Sequence, residues 1–134
     1  MERDGTQSSD SFEGSLNLVK LAPDSPPMLS DKPMIRELIQ LLLAHNVIHV
    51  VLSPGSRNAP ISISLINHSE FETYSVVDER AGGFFALGLS QQLNQPVAVC
   101  CTSGSAALNY APAVAEAFYQ RIPSEFLSFF LKKI

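Results

Sequence analysis

Three short segments of the chain carry side chains that could bind or activate an anionic ligand. They are SPGSRNAP (residues 53–60), DERAGG (78–83) and TSGSAA (102–107). Each follows a short apolar run typical of a buried strand and precedes a helical pattern. Parallel strands end at one edge of a sheet, and the helices that follow them present free N–H groups and a favourable dipole there. The sequence therefore predicts one composite site made of three loops.

The acidic pair Asp78 and Glu79 lies where a strand changes into a helix. In one interpretation Asp78 caps the helix and Glu79 complements its dipole. In the other, Glu79 is a chemical group of the site. Gly82 and Gly83 follow inside the helix, where each costs about 1 kcal/mol relative to alanine. Two such glycines indicate close approach by another helix, another subunit or a flat ligand.

The other two loops offer hydrogen-bond donors. Ser56 and Arg57 are suited to a carboxylate or a phosphate, although an ordinary loop with Arg57 in solvent has the same composition. Residues 103–105 could let a ligand approach the backbone, or they could simply cap the next helix. The residues alone leave both alternatives open.

The elements that must position these loops alternate between helix and strand. A helix capped by Ser30 or Asp31 should run to His45–Asn46, where asparagine can take the left-handed conformation. The further elements are a strand at Val47–Ser53, a helix at 60–68, a strand at Thr73–Val77, a helix at 79–93, a strand at Val97–Thr102 and a helix at Gly104–Gln120 bent at Pro112. This order predicts an α/β fold with three α/β/α layers and a parallel sheet.

Composition restricts the class of protein. The 134 residues allow one domain, and 46% hydrophobic residues are enough for a core. A net charge of −4 without a basic cluster argues against nucleic acid and anionic membranes as main partners. No apolar run approaches the roughly 18 residues of a membrane span, and the polar amino terminus is unlike a secretory signal. We therefore expect a cytoplasmic protein.

Neither the cysteines nor the histidines predict a metal site. Cys100 and Cys101 are adjacent and should face opposite sides of a strand as small buried residues. The three histidines lack metal-ligand spacing and are expected to be structural or solvated: His45, His49 and His68.

The chain resembles the amino-terminal, pyrimidine-binding domain of the 2-succinyl-5-enolpyruvyl-6-hydroxy-3-cyclohexene-1-carboxylate synthase family, which depends on thiamine diphosphate. The resemblance runs from about Asp31 to Pro123. The motifs that carry it are V-x-H-V-x-x-S-P-G-S-R-N-A-P (47–60), V-D-E-R-A-G-G-F-F-A-L-G (77–88), P-V-A-V-x-C-T-S-G-S-A (96–106) and N-Y-A-P-A-V-x-E-A (109–117). The first motif separates this family from most other thiamine-diphosphate enzymes.

The resemblance implies a reaction and a role for each loop. The family, which acts in menaquinone biosynthesis, decarboxylates 2-oxoglutarate and adds the succinic semialdehyde carbanion to isochorismate. Glu79 matches the glutamate that hydrogen-bonds the aminopyrimidine ring and favours the imino tautomer, which removes the thiazolium C2 proton. Phe84 and Phe85 could screen that carboxyl group from water. The matched substrate and cofactor residues are Ser56 and Arg57 for the isochorismate carboxylates, and Ser103, Gly104 and Ser105, the last usually threonine, for the pyrimidine pocket.

The resemblance also implies what these residues do not supply. The family binds diphosphate and Mg²⁺ through a further domain and works as a homo-oligomer, with each active site shared between two subunits. Residues 1–30 are expected to be an unmatched or disordered extension, 31–123 a partial pyrimidine domain, and 124–134 a tail foreign to the family. An inactive fragment, at most a module that binds a partner through the Gly82–Gly88 part of its helix, is therefore the alternative to an enzyme.

Overall fold

A computed structural model describes residues 30–102 and 104–122. Predictions for residues 1–29, for Ser103 and for the tail 124–134 lie outside the described residues. The elements in chain order are α1 (Pro33–Ala44), β1 (His49–Leu52), α2 (Ala59–Ile66), β2 (Glu72–Ser75), α3 (Glu79–Leu93), β3 (Val97–Cys100), α4 (Ser105–Asn109) and α5 (Ala111–Gln120). Among residues 30–102 and 104–122, no helix is both long enough and apolar enough to cross a membrane.

The three strands form a parallel sheet in the order β2-β1-β3. Leu52, the last residue of β1, pairs with Ser75 on one side and with Cys100 on the other. All three strands therefore end at the same level, and the three loops that follow them start from one edge of the sheet.

Helices cover both faces of this sheet, so the predicted three-layer α/β/α fold is confirmed. Helices α1 and α2 pack on one face through a core whose buried members include Ile39, Leu42, Val50, Leu65 and Ala98. Helices α3 to α5 pack on the other face through residues that include Val51, Ala86, Val99, Ala106 and Tyr110. Cys100 belongs to the first core and Cys101 to the second, and both are free thiols, as expected.

Some element ends differ from the sequence prediction. Lys32 is the residue before α1, and no side chain caps this helix, so capping by Ser30 or Asp31 was wrong; Pro33 starts the helix because proline suits a position that needs no N–H donor. Asn46 does take the left-handed conformation, with φ of 57°. The strands are shorter than predicted, at four residues each.

The predicted last helix is two helices, α4 and α5, with Tyr110 between them. Pro112 lies in the first turn of α5, where its missing N–H costs nothing. One continuous helix would have set the proline ring against the carbonyl group of Leu108. The chain therefore interrupts the helix at Tyr110, where only a bend at Pro112 was expected.

Gly82 and Gly83 of α3 pack closely against other parts of this chain. A Cβ atom at position 82 would lie 3.2 Å from the Ser53 Oγ. One at position 83 would lie 2.9 Å from the Cβ of Ala113 and 3.0 Å from the Cδ1 of Tyr110. The close partner of Gly83 is therefore α5 of the same chain, so the structure bears out another helix, and not another subunit, as the explanation of this glycine. A Cβ atom at Gly88 would meet nothing within 4 Å.

We predict that Gly83→Ala lowers the free energy of unfolding of the chain by roughly 1–3 kcal/mol, because the added methyl group overpacks the contact between α3 and α5. Gly88→Ala is the matched control in the same helix; it should be neutral or stabilising by up to about 1 kcal/mol, since it gains helix propensity in open space. Urea denaturation followed by circular dichroism measures both. Equal midpoints for the two variants would contradict the packing argument.

Candidate functional site

The first and third loops of the edge are in direct contact. A Cβ atom at position 55 would lie 2.6 Å from the Cβ of Thr102, closer than real side chains approach. Only glycine at this position lets the loop after β1 lie against the loop after β3. The second loop joins them through Gly82, which lies against Ser53. The composite arrangement of three loops is thus present in the fold.

A buried hydrogen-bond network fixes the base of these loops. The hydroxyl groups of Ser53 and Tyr110 are 2.8 Å apart, and the Tyr110 hydroxyl also lies 3.5 Å from the Cys100 carbonyl oxygen. The Ser53 N–H donates to the same Cys100 carbonyl at 2.8 Å. Burial raises the pKa of the Tyr110 hydroxyl well above its ordinary value, so this group remains a neutral donor.

The two carboxylates of the second loop have different roles. Asp78 caps α3, because its Oδ1 accepts a hydrogen bond of 2.7 Å from the Ala81 N–H. Glu79 is the first residue of the helix and is half-buried. Within the described residues, no hydrogen bond or ion pair engages the Glu79 carboxylate. The capping role therefore belongs to Asp78 alone, and Glu79 remains available for a ligand.

The charge of Glu79 reaches the buried residues beneath the edge. Burial raises the pKa of the Cys101 thiol to about 11, and the Cys100 thiol and the Glu79 carboxylate add smaller contributions in the same direction. The Glu79 carboxylate also adds to the raised pKa of Tyr110. The Glu79 carboxylate thus acts on Cys101, which follows β3, and on Tyr110, whose hydroxyl lies beneath the edge.

The expected screening of Glu79 by the two phenylalanines is not formed. Phe84 is exposed, and the ring of Phe85 packs on Tyr74 with a centroid distance of 5.5 Å. Helical geometry explains the difference, because residues five and six positions beyond Glu79 lie on other faces of the helix, whereas only those three or four positions on share its face. Any apolar cover over Glu79 would have to come from other residues.

Ser56 and Arg57 lie in the turn between β1 and α2, and both are exposed. Asn58 follows them and is almost fully buried, with 2% of its surface exposed. Its side-chain Nδ2 donates to the Ser53 carbonyl oxygen at 3.0 Å, across the whole turn. The two candidate anion-binding side chains therefore face solvent from a turn that is closed by a buried side chain.

The third loop presents open backbone. Gly104 precedes α4 with φ of 87°, a conformation that favours glycine, and a Cβ atom there would meet nothing within 4 Å. Ser105 starts the helix and is exposed. No side chain caps α4, so a simply capped turn is not what the described part of this loop forms. Ser103 lies outside the described residues.

The histidines lie away from this edge or in structural contacts. His49 Nδ1 is 3.1 Å from the Tyr74 hydroxyl at the start of the sheet, and His68 packs edge-on against Phe71. No group of three or more His, Cys, Asp or Glu within residues 30–102 and 104–122 could hold a metal ion.

Four residues that hold the loops together were not predicted from the sequence: Ser53, Asn58, Thr102 and Tyr110. The sequence gives some indication of Ser53 and Asn58, since Ser53 ends an apolar run and Asn58 stands immediately before another. The indication for Tyr110 is weaker: it stands two residues before Pro112 inside a helical pattern. Nothing in the sequence indicates a role for Thr102, because its partner Gly55 lies 47 residues away along the chain.

This fold and edge define a class of protein: an α/β domain with a parallel sheet that binds a small ligand where its strands end. Residues 35–129 match the family described as thiamine pyrophosphate enzyme, N-terminal TPP binding domain. The chain belongs to this family.

Similar proteins agree with the assignment. A 2-succinyl-5-enolpyruvyl-6-hydroxy-3-cyclohexene-1-carboxylate synthase from Phocaeicola vulgatus is 62% identical over 96 residues, and one from Bacteroides fragilis is 59% identical over 95. The aligned parts are 72% and 71% of this chain and 17% of each relative, so the chain spans about a sixth of their length. The resemblance seen in the sequence is thereby confirmed.

A solved structure supports the fold. Benzoylformate decarboxylase from Polynucleobacter necessarius superposes with a TM-score of 0.61 and 26% identity, covering 70% of this chain and 18% of that one. Together with the family match, the observed layers and the parallel sheet are those of part of a thiamine pyrophosphate enzyme N-terminal domain.

The described residues fit the ring end of such a cofactor. The nitrogen atoms of an aminopyrimidine ring can pair with a carboxyl group, and Glu79 has one that no hydrogen bond or ion pair in the described part of the chain engages. A flat ring also needs backbone that it can approach, and Gly104 provides it because no atom lies within 4 Å of its missing Cβ. Both features lie at the same edge of the sheet.

We predict that Tyr110→Phe lowers the free energy of unfolding by about 1–3 kcal/mol, because the buried Ser53 hydroxyl loses its partner. Ser53→Ala should have a similar cost, and the double variant should cost less than the two single changes added together. Urea denaturation of all four proteins completes the cycle. A coupling energy near zero would mean that the two hydroxyl groups do not stabilise each other.

Proposed function

We propose that the chain carries the aminopyrimidine-binding side of a thiamine diphosphate site. The site belongs to a synthase that decarboxylates 2-oxoglutarate and adds the four-carbon product to isochorismate in menaquinone biosynthesis. The names of the curated relatives and the family match support this assignment. The observation that carries it is the position of Glu79, a half-buried carboxylate at the first residue of α3 that takes no part in capping.

Glu79 is the proposed catalytic residue. Its carboxyl group would hold a proton against a nitrogen of the pyrimidine ring, and the helix start and the half-buried setting would keep it in place. Ser103, Gly104 and Ser105 would line the ring pocket, with Gly104 giving access to the backbone. When bound, thiamine diphosphate supplies the electron sink that decarboxylation of a 2-oxo acid requires.

Ser56 and Arg57 are the proposed substrate-binding residues. Isochorismate carries carboxylates, and a guanidinium group can hold a carboxylate with two parallel hydrogen bonds. The Ser56 hydroxyl adds a further donor in the same turn. Both residues belong to the loop that contacts the third loop through Gly55, so substrate and cofactor residues are adjacent.

The remaining functions of the synthase would come from residues other than the described ones. The described residues contain no cluster that could hold Mg²⁺, so the diphosphate and its Mg²⁺ would be bound by a separate domain. We propose a homo-oligomeric, cytoplasmic, transferase-type enzyme that forms a carbon–carbon bond, with residues 31–123 as its pyrimidine domain.

The alternative is that the 134-residue chain is catalytically inactive by itself and serves at most as an α/β module that binds a partner. The absence of a metal-holding cluster in the described part favours inactivity of the isolated chain. A chimera with a related synthase distinguishes an isolated chain that is inactive from a chain that lacks catalytic residues, because the relative supplies the remaining domains.

We predict that Glu79→Gln abolishes most activity in a chimera in which residues 33–122 replace the matching part of the Phocaeicola vulgatus synthase. Decarboxylation of 2-oxoglutarate should fall by roughly 100-fold or more, because the amide cannot exchange a proton as a carboxyl group does. The measurement is the steady-state rate of carbon dioxide release at saturating cofactor.

Glu37→Gln is the matched control, since Glu37 is exposed on α1 in the opposite layer. Near-normal turnover of the Glu79→Gln chimera would refute the role of Glu79. No turnover of the unmodified chimera, when it is folded and oligomerises as the relative does, would favour the inactive module instead.

We predict that Arg57→Ala in the same chimera raises the KM for isochorismate by about 10–100-fold, because a hydrogen-bonded charge pair is lost. The kcat and the KM for 2-oxoglutarate should change less than about threefold. Arg36→Ala is the control, since Arg36 is an exposed residue of α1 that pairs with Asp31 at 3.5 Å. A fall in kcat with unchanged KM would contradict a substrate-binding role.

A further inference from the structure

Asn58 has contacts that neither the helix nor the core explains. It stands immediately before α2, at a position where asparagine commonly caps a helix. Its side chain makes no capping hydrogen bond. Instead Nδ2 donates backward to the Ser53 carbonyl at 3.0 Å and lies 3.7 Å from the Cys100 Sγ.

The chemistry of these partners fixes the orientation of the amide. The Ser53 carbonyl oxygen can only accept a hydrogen bond, so the nitrogen of the amide must face it. The other amide atom, Oδ1, is buried without a partner among the described residues. An unsatisfied buried oxygen costs about 1–3 kcal/mol. This cost offsets much of what the hydrogen bonds of Nδ2 contribute to stability, so shaping the turn is a further reason for asparagine here.

We infer that Asn58 is a positioning residue for the Ser56–Arg57 turn, which rests on the proposed function of that turn as the carboxylate site. The bond from Asn58 to Ser53 closes the chain around Ser56 and Arg57. The contact of Gly55 with Thr102 holds the other side of the same turn. Asn58 thus keeps two exposed donors in one conformation before the substrate arrives.

Such an arrangement has an energetic purpose. A loop that must be ordered on binding loses affinity, because fixing each residue costs about 1–2 kcal/mol of conformational entropy. Because the buried Asn58 side chain orders the turn during folding, little of this entropy is lost when the substrate binds. Loss of its hydrogen bond should then loosen the turn and weaken carboxylate binding without removing either donor.

The test uses the 134-residue chain and the variant Asn58→Leu, which keeps the branched shape of the side chain and removes the donor. We expect the ¹⁵N order parameters of the Ser56 and Arg57 amides to fall from about 0.85 to below about 0.6, while those of β3 stay unchanged. Titration with isochorismate, followed by chemical shifts, should show about tenfold weaker binding in the variant, which corresponds to about 1.4 kcal/mol.

Ser62→Ala is the matched control, because Ser62 has a buried hydroxyl in α2 and makes no bond to Ser53. It should leave the turn and the affinity as they are. Unchanged order parameters in Asn58→Leu would overturn the inference. Unfolding of both Asn58→Leu and Asn58→Ala while Ser62→Ala stays folded would also overturn it, because Asn58 would then serve the core.

The failure of the proposed function gives a different result. If Arg57→Ala leaves the KM of the chimera for isochorismate unchanged, the carboxylate site is wrong. The order parameters still decide whether Asn58 fixes the turn, because they need no ligand.

Discussion

The parallel pairing of three short strands in one register is the constraint on which the rest of the structure depends. Because Leu52 pairs with both Ser75 and Cys100, the three loops begin at one level. A shift of one strand by one residue would turn its side chains to the other face and separate the loops. The buried valines of β1 and β3 prevent such a shift, so core packing on both faces determines where the candidate site forms.

Helix α3 holds Glu79 in its position at the edge of the sheet. The helix approaches the sheet closely because Gly82 lies on Ser53 and Gly83 lies on the turn between α4 and α5. A larger residue at either position would lift the first turn, and with it Glu79, away from the edge. The conformational cost of two glycines in a helix is therefore offset by packing, and the position of the carboxylate follows from that packing.

The sequence was sufficient for features that depend on local patterns. It predicted the three layers, the parallel sheet, the limits of α3 and the left-handed Asn46. These features depend on the periodicity of hydrophobic residues and on turn residues, which are close together in the sequence. It did not predict the interruption at Tyr110, the contact of Gly55 with Thr102, or the α5 partner of Gly83. Those depend on residues far apart in the chain, and no local pattern encodes them. The roles of Glu79, Ser56 and Arg57 stay predictions that rest on the family.

The candidate site divides its residues into two groups by burial. The first group is buried: the Ser53 and Tyr110 hydroxyl groups bond to each other, and Asn58 donates to the Ser53 carbonyl oxygen. The second group is exposed or half-buried and consists of Ser56, Arg57 and Glu79. Buried polar groups are expensive unless they are satisfied, so the first group ties the shape of the loops to the stability of the fold. The second group lies at the surface of the edge, where a ligand can reach it. Substitutions in the second group should therefore alter chemistry in a folded protein, whereas substitutions in the first alter both, and this difference allows the two kinds of role to be told apart.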